Sequence, residues 1–185
     1  MSYPSDPEDF LDTAPADLSK LRVALSPDLG FAPTSQMIRR VFAARVAKLQ
    51  PYLAVAEEDQ PDLTTAARVN WVIRCLQYLG SQKTHYAEHK EKLSPNVRLN
   101  YEQALELSVE DVAEAFRENG ALHREVDRFF GDYDVLIVPG ATVTPFPKED
   151  HYPKAVDGVE LETYVAWAGL TNALSTTGNP VVALP

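Results

Sequence analysis

The spacing of apolar positions changes several times along the chain, and each change marks an element. Leu21 to Leu25 alternates as a short strand and closes on the turn-forming run Ser26-Pro-Asp-Leu-Gly30. From Thr34 or Ser35, either of which can cap a helix, Met37, Val41, Phe42, Val46 and Leu49 recur at helical spacing until Pro51. Tyr52 to Ala56 reads as a second strand. The opening unit is therefore β-α-β, an order that favours parallel pairing through a right-handed crossover. Pro61 to Gly80 predicts a second helix around Trp71 and Cys75, ended by Gly80, and Lys83 to Lys92 predicts a polar, solvated one. Ser94-Pro95 is a cap followed by proline at the first helical position, where its missing N–H costs nothing. The helix it opens is expected to turn Val97, Tyr101, Ala104 and Leu105 inward.

The strongest helical pattern comes next. Ser108-Val-Glu-Asp111 resembles a capping box with an aspartate as the reciprocal partner. Val109, Val112, Phe116, Val126 and Phe129 or Phe130 then trace a long amphipathic helix, with Gly131 placed as its terminal glycine. Val135 to Val138 is apolar without alternation, which predicts a strand covered on both faces, as central parallel strands are. Residues 141–158 form a Pro-rich excursion, 159–174 predict a last helix, and Pro180 to Leu184 predicts another apolar strand. The fold class is thus α/β, with a mixed, largely parallel sheet covered by helices. Residues 1–20 read as an irregular Pro/Asp-rich lead-in and 21–185 as one α/β domain. A buried strand followed only by Pro185 predicts that the chain is one part of something longer.

Composition narrows the function. The 185 residues carry 17 Lys+Arg against 27 Asp+Glu, a formal net charge of −10, and 45 % are hydrophobic. That apolar share supplies a core for one domain. The acidic excess argues against a surface that coats nucleic acid or anionic lipid. No apolar run approaches the ~18 residues of a membrane span, and no basic start with an apolar centre opens the chain. Neither direct nucleic-acid nor membrane partners are expected, and the expected location is cytoplasmic. The lone Cys75 leaves no internal disulfide and no multi-cysteine zinc site.

Candidate chemistry is sparse. His85-Tyr-Ala-Glu-His89 matches H-x-x-E-H, which on a helix puts two imidazoles on one face beside a carboxylate. Its neighbours Lys83, Lys90, Glu91 and Lys92 favour a solvated helix face, and no third ligand is spaced to help. No G-x-S-x-G elbow, Ser-x-x-Lys pair or glycine-rich phosphate loop occurs. Cys75 sits among Ile73, Leu76 and Leu79 as a small core residue. Arg98, just inside a capped helix, is the one charged side chain placed to meet an anion. No catalytic residue, metal ligand or cofactor is read from these positions.

The segment from Ser94 onward, "LSPNVRLNYEQALELSVEDVAEAFRENGALHREVDRFFGDYDVLIVPGATVTPFP" with "LTNALSTTGNPVVALP", resembles the C-terminal half of the amidase signature family. The earlier "DLSKLRVALSPDLGFAP" is similar to the stretch after that family's catalytic region. The resemblance implies the amidase signature fold and hydrolysis of a carboxylic amide by a Ser-Ser-Lys arrangement. It also implies that the nucleophile and its activating lysine lie N-terminal to the residues present here, so this chain alone is expected to be inactive. It points to Arg98, Thr142, Thr144 and Trp167 as substrate-binding, and to a small amide as partner of the intact protein. The A subunit of glutamyl-tRNA amidotransferase is a similar protein and an alternative reading; a non-enzymatic interaction module is another. Sheet edges left uncovered are expected to drive self-association of the isolated chain.

Overall fold

The computed structural model describes residues 6, 8, 11, 15–161 and 163–184. Most of the 1–20 lead-in, together with Glu162 and Pro185, lies outside the described residues. Among the described residues three parallel strands form the main sheet: β1 (Arg22–Leu25), β2 (Val55–Glu58) and β3 (Val135–Ile137), in the order β2-β1-β3. Val23 pairs with Ala56 on one side and Val135 on the other. A separate antiparallel hairpin of β4 (Ala155–Val156) and β5 (Val159–Glu160) makes the strand content mixed.

The central strand is β1, whereas the unbroken apolar run at 135–138 predicts that place for β3. Val23, Ala24 and Leu25 are buried in succession, so both faces of β1 are covered, while Val135 is 37 % exposed at the edge of the described sheet. Leu136 and Val138 nonetheless pack against the core, which accounts for their apolarity.

Among the described residues there are five helices: α1 (Gln36–Leu49), α2 (Ala66–His89), α3 (Pro95–Glu106), α4 (Val109–Asp132) and α5 (Gly169–Thr177). Local chemistry starts three of them. The Ser35, Ser94 and Ser108 hydroxyls accept from the N–H groups of Ile38, Val97 and Asp111, and Pro95 opens α3. Around Ser108 the capping box closes in both directions, since the Asp111 carboxylate accepts from the Ser108 N–H at 3.0 Å.

Several expected boundaries move. α2 runs through Gly80 to His89 and absorbs the polar stretch expected as a separate helix. β2 begins three residues after Tyr52, which belongs to a short 3-10 turn. Gly131 lies within the last turn of α4, and the cap is Tyr133 in extended conformation. At 155–160 a hairpin replaces the start of the last helix. Its turn residues Asp157 and Gly158 have φ of 47° and 84°, the two positive values of a type I′ turn. Residues 179–184 pair with no strand among the described residues, and Val181, Val182 and Leu184 are 69–84 % exposed.

α2 is the central helix, packing on α3, α4 and α5. Leu63, Val69, Leu122, Val126 and Leu170 form the main core where α2, α4 and α5 meet. Arg68 of α2 forks onto Glu118 at 2.7 Å and Glu114 at 2.9 Å, joining α2 to α4. By contrast α1 buries none of its residues, and Met37 and Val41 of its apolar stripe are half exposed. On α4, Val109 and Phe116 face solvent and Ala115 and Leu122 take the core positions; on α3, Leu105 is exposed and Asn100 buried.

Candidate substrate cleft

Beside the core, α2 and α3 diverge from the segment 152–172 and leave a cleft of about 680 Å³, a volume that suits a small organic ligand. α2 supplies Asn70 and Trp71, and α3 supplies Asn96, Leu99 and Gln103. The opposite wall comes from Tyr152 and the run Thr163 to Ala166, with Phe31 and Pro33 closing one end. Among the described residues none of the lining side chains carries a formal charge. Aromatic edges organise the wall: Trp71 and Tyr152 each meet the Tyr164 ring at 6.5 Å, inclined at 72° and 64°.

A buried polar centre fixes that wall. Asn100 is fully buried on α3. Its Oδ1 accepts from Arg74 Nε at 3.1 Å, and its Nδ2 donates to both the Asn96 carbonyl and the Tyr164 hydroxyl. Asn70 reaches across to α5, donating to Thr176 Oγ1 at 3.2 Å. The Gln103 Oε1 atom is buried with no hydrogen-bond partner among the described residues.

Of the residues expected to touch substrate, the structure brings Thr142 and Trp167 together. Thr142 is buried and its hydroxyl donates to the Trp167 carbonyl, while the Trp167 ring meets Phe146 edge-on at 5.5 Å. This contact latches the 139–146 loop to the turn Ala166–Ala168, whose first residue lines the cleft. Thr144 is exposed. Arg98 is absent from the cleft lining, although its helix neighbours Asn96 and Leu99 are there. Its charge instead helps hold the Glu102 carboxyl below the ordinary range, behind the larger effects of hydrogen bonds from Lys90 and Tyr86.

The other sequence candidates lie elsewhere. His85, Glu88 and His89 occupy the exposed end of α2, and among the described residues no three His, Cys, Asp or Glu side chains gather to hold a metal ion. Cys75 is fully buried, and burial pushes its thiol up despite the nearby Arg74 charge. His123 lines a smaller hollow of about 300 Å³ with Arg124, Asp127 and Thr177, away from the main cleft. At the sheet's edge the Tyr133 hydroxyl donates toward Glu57 at 2.7 Å and Asp59 at 2.8 Å. Those two carboxylate acceptors push its pKa well above the ordinary phenol value. No helix among the described residues is long and apolar enough to cross a membrane.

Asn70, Trp71, Asn100, Tyr152 and Tyr164 escape a reading of the sequence as site residues because they lie on segments up to 94 positions apart.

The amidase family profile matches residues 1–185. No curated protein matches the chain. Among solved structures the chain is similar to a bacterial aryl acylamidase described as belonging to the amidase signature enzymes. The identity is 15 %, the TM-score 0.72, and the match covers 87 % of this chain and 36 % of that one. It is also similar to a structure described as an amidase, at 22 % identity and a TM-score of 0.73, over 89 % of this chain and 38 % of the other. The likeness is one of fold, and the chain spans somewhat more than a third of the length of these two structures.

Proposed function

The chain belongs to the amidase family, and from that premise we propose that it is the C-terminal, substrate-holding portion of an amide hydrolase. In this reading it supplies three parallel strands of the sheet and one wall of the substrate cleft. The Ser-Ser-Lys machinery is carried by residues outside this sequence. Without a nucleophile no covalent acyl intermediate forms, so the 185 residues alone hydrolyse no amide.

The observation that carries the reading is the uncharged, aromatic cleft standing on an amidase-type α/β frame. It also favours a general amidase over the A subunit of an amidotransferase. Free glutamine brings an α-carboxylate and an ammonium group, both of which need charged or strongly polar partners when desolvated. Among the described residues the cleft lining offers no such charge. Arg98 remains a proposed contact for an acidic group only in a larger site that the missing portion would complete.

Sequencing the reading frame that adjoins the chain tests this assignment. A lysine followed by a Gly/Ser-rich run upstream, in frame, is expected. Stop codons on both sides with no such run would leave the interaction-module reading in its place.

A further inference from the structure

The hydrogen-bond chemistry around Asn100 has only one consistent orientation. Arg74 Nε can only donate and the Asn96 carbonyl can only accept, so the Asn100 oxygen faces Arg74 and its NH₂ faces Asn96. The second N–H of that NH₂ then meets the Tyr164 hydroxyl, which must act as acceptor. The phenol proton of Tyr164 is thereby left over, and among the described residues it donates to none. Tyr164 lines the cleft.

From this geometry we propose that Tyr164 is the residue that selects the ligand, donating its phenol proton to the carbonyl oxygen of an uncharged aromatic carboxamide. Asn100 is the positioning residue that compels it to donate. Trp71 and Tyr152 bound the space for its ring. The proposal rests on the cleft being the substrate wall of an amide hydrolase, and it narrows the substrate to neutral aryl amides. A benzoate-like acid is disfavoured, since among the described residues no lining side chain offsets its charge.

The test is ligand-observed NMR on the folded 185-residue chain with benzamide, ethylbenzene and benzoate as probes. The wild type is expected to bind benzamide more tightly than either of the others. Tyr164→Phe removes one hydroxyl and is expected to weaken benzamide roughly three- to tenfold, the worth of one neutral hydrogen bond, with ethylbenzene unchanged. Asn100→Asp keeps the oxygen that Arg74 needs but turns the group facing Tyr164 into an acceptor, which captures the phenol proton. It is expected to lose benzamide by a similar factor while a thermal melt shows the chain still folded. Should that variant unfold, Tyr164→Phe decides alone. Benzamide affinity unchanged in Tyr164→Phe, or no benzamide binding by the wild type, overturns the proposal. Binding by the chain does not depend on the adjoining reading frame, so failure here and failure of the hydrolase assignment are separate results.

Discussion

Asp134 holds Arg22 through both main chain and side chain. Its carboxylate accepts the Arg22 N–H at 2.8 Å and the guanidinium at 2.8 Å, and its own N–H donates to the Arg22 carbonyl at 2.8 Å. Arg22 in turn reaches the Gly131 carbonyl at the end of α4. The start of the central strand, the end of the longest capped helix and the entry to β3 are thus tied at one point.

That point should respond to acid. The guanidinium of Arg22, then its backbone N–H, hold the Asp134 carboxyl below the ordinary range. Asp111 is lowered by the Ser108 hydroxyl and N–H, and Glu102 by Lys90 and Tyr86. A carboxylate depressed on folding stabilises the fold above its unfolded value of about 4, and the contribution is lost as pH falls through the folded value. Thermal melts should therefore fall as pH drops below about 4, and less steeply in Asp134→Asn. Parallel profiles for the two proteins would show that Asp134 does not contribute.

Removing the Ser108 hydroxyl leaves the first turn of α4 with an unsatisfied N–H. Ser108→Ala is expected to cost ~1 kcal/mol in denaturant unfolding, the usual worth of a serine cap. A loss within experimental error would mean that Asp111 and solvent satisfy the turn unaided.

Leu170 is fully buried where α5 meets α2 and α4, so Leu170→Ala should cost about 2–5 kcal/mol. Because α5 backs the cleft wall, benzamide binding should weaken in the same variant. Stability close to wild type would place α5 outside the cooperative core.

How far the sequence led depends on the reach of each signal. Caps are local, and Ser35, Ser94 and Ser108 all act where their side chains predict. Gly80 misleads because an interior glycine costs a helix only about 1 kcal/mol, and α2 recovers that beyond it, where Tyr86 stacks on Tyr101 at 4.1 Å. The hairpin at 155–160 carries its own signal in Asp157-Gly158, but two-residue strands show too little alternation to register. The apolar run at 180–184 reads as a buried strand, yet it is exposed, because apolarity reports a need for cover without saying what supplies it. The cleft was not legible at all: its polar centre joins Arg74, Asn100 and Tyr164, which no local pattern links.

The same exposed run predicts association. Val181, Val182 and Leu184, together with the uncovered side of α1 at Met37 and Val41, leave apolar surface open to water. Sedimentation of the isolated chain is expected to show concentration-dependent oligomers, reduced when the three tail residues are changed to serine. An identical distribution for both proteins would move the contact elsewhere.

The most direct measurement of the central claim, that this chain holds substrate but does not supply the nucleophile, is mass spectrometry after treatment with a serine-directed fluorophosphonate. Ammonia release from benzamide is followed on the same sample. An unmodified chain mass and no turnover are expected. Stoichiometric labelling of a serine within these 185 residues, with matching loss of amide hydrolysis, would contradict it.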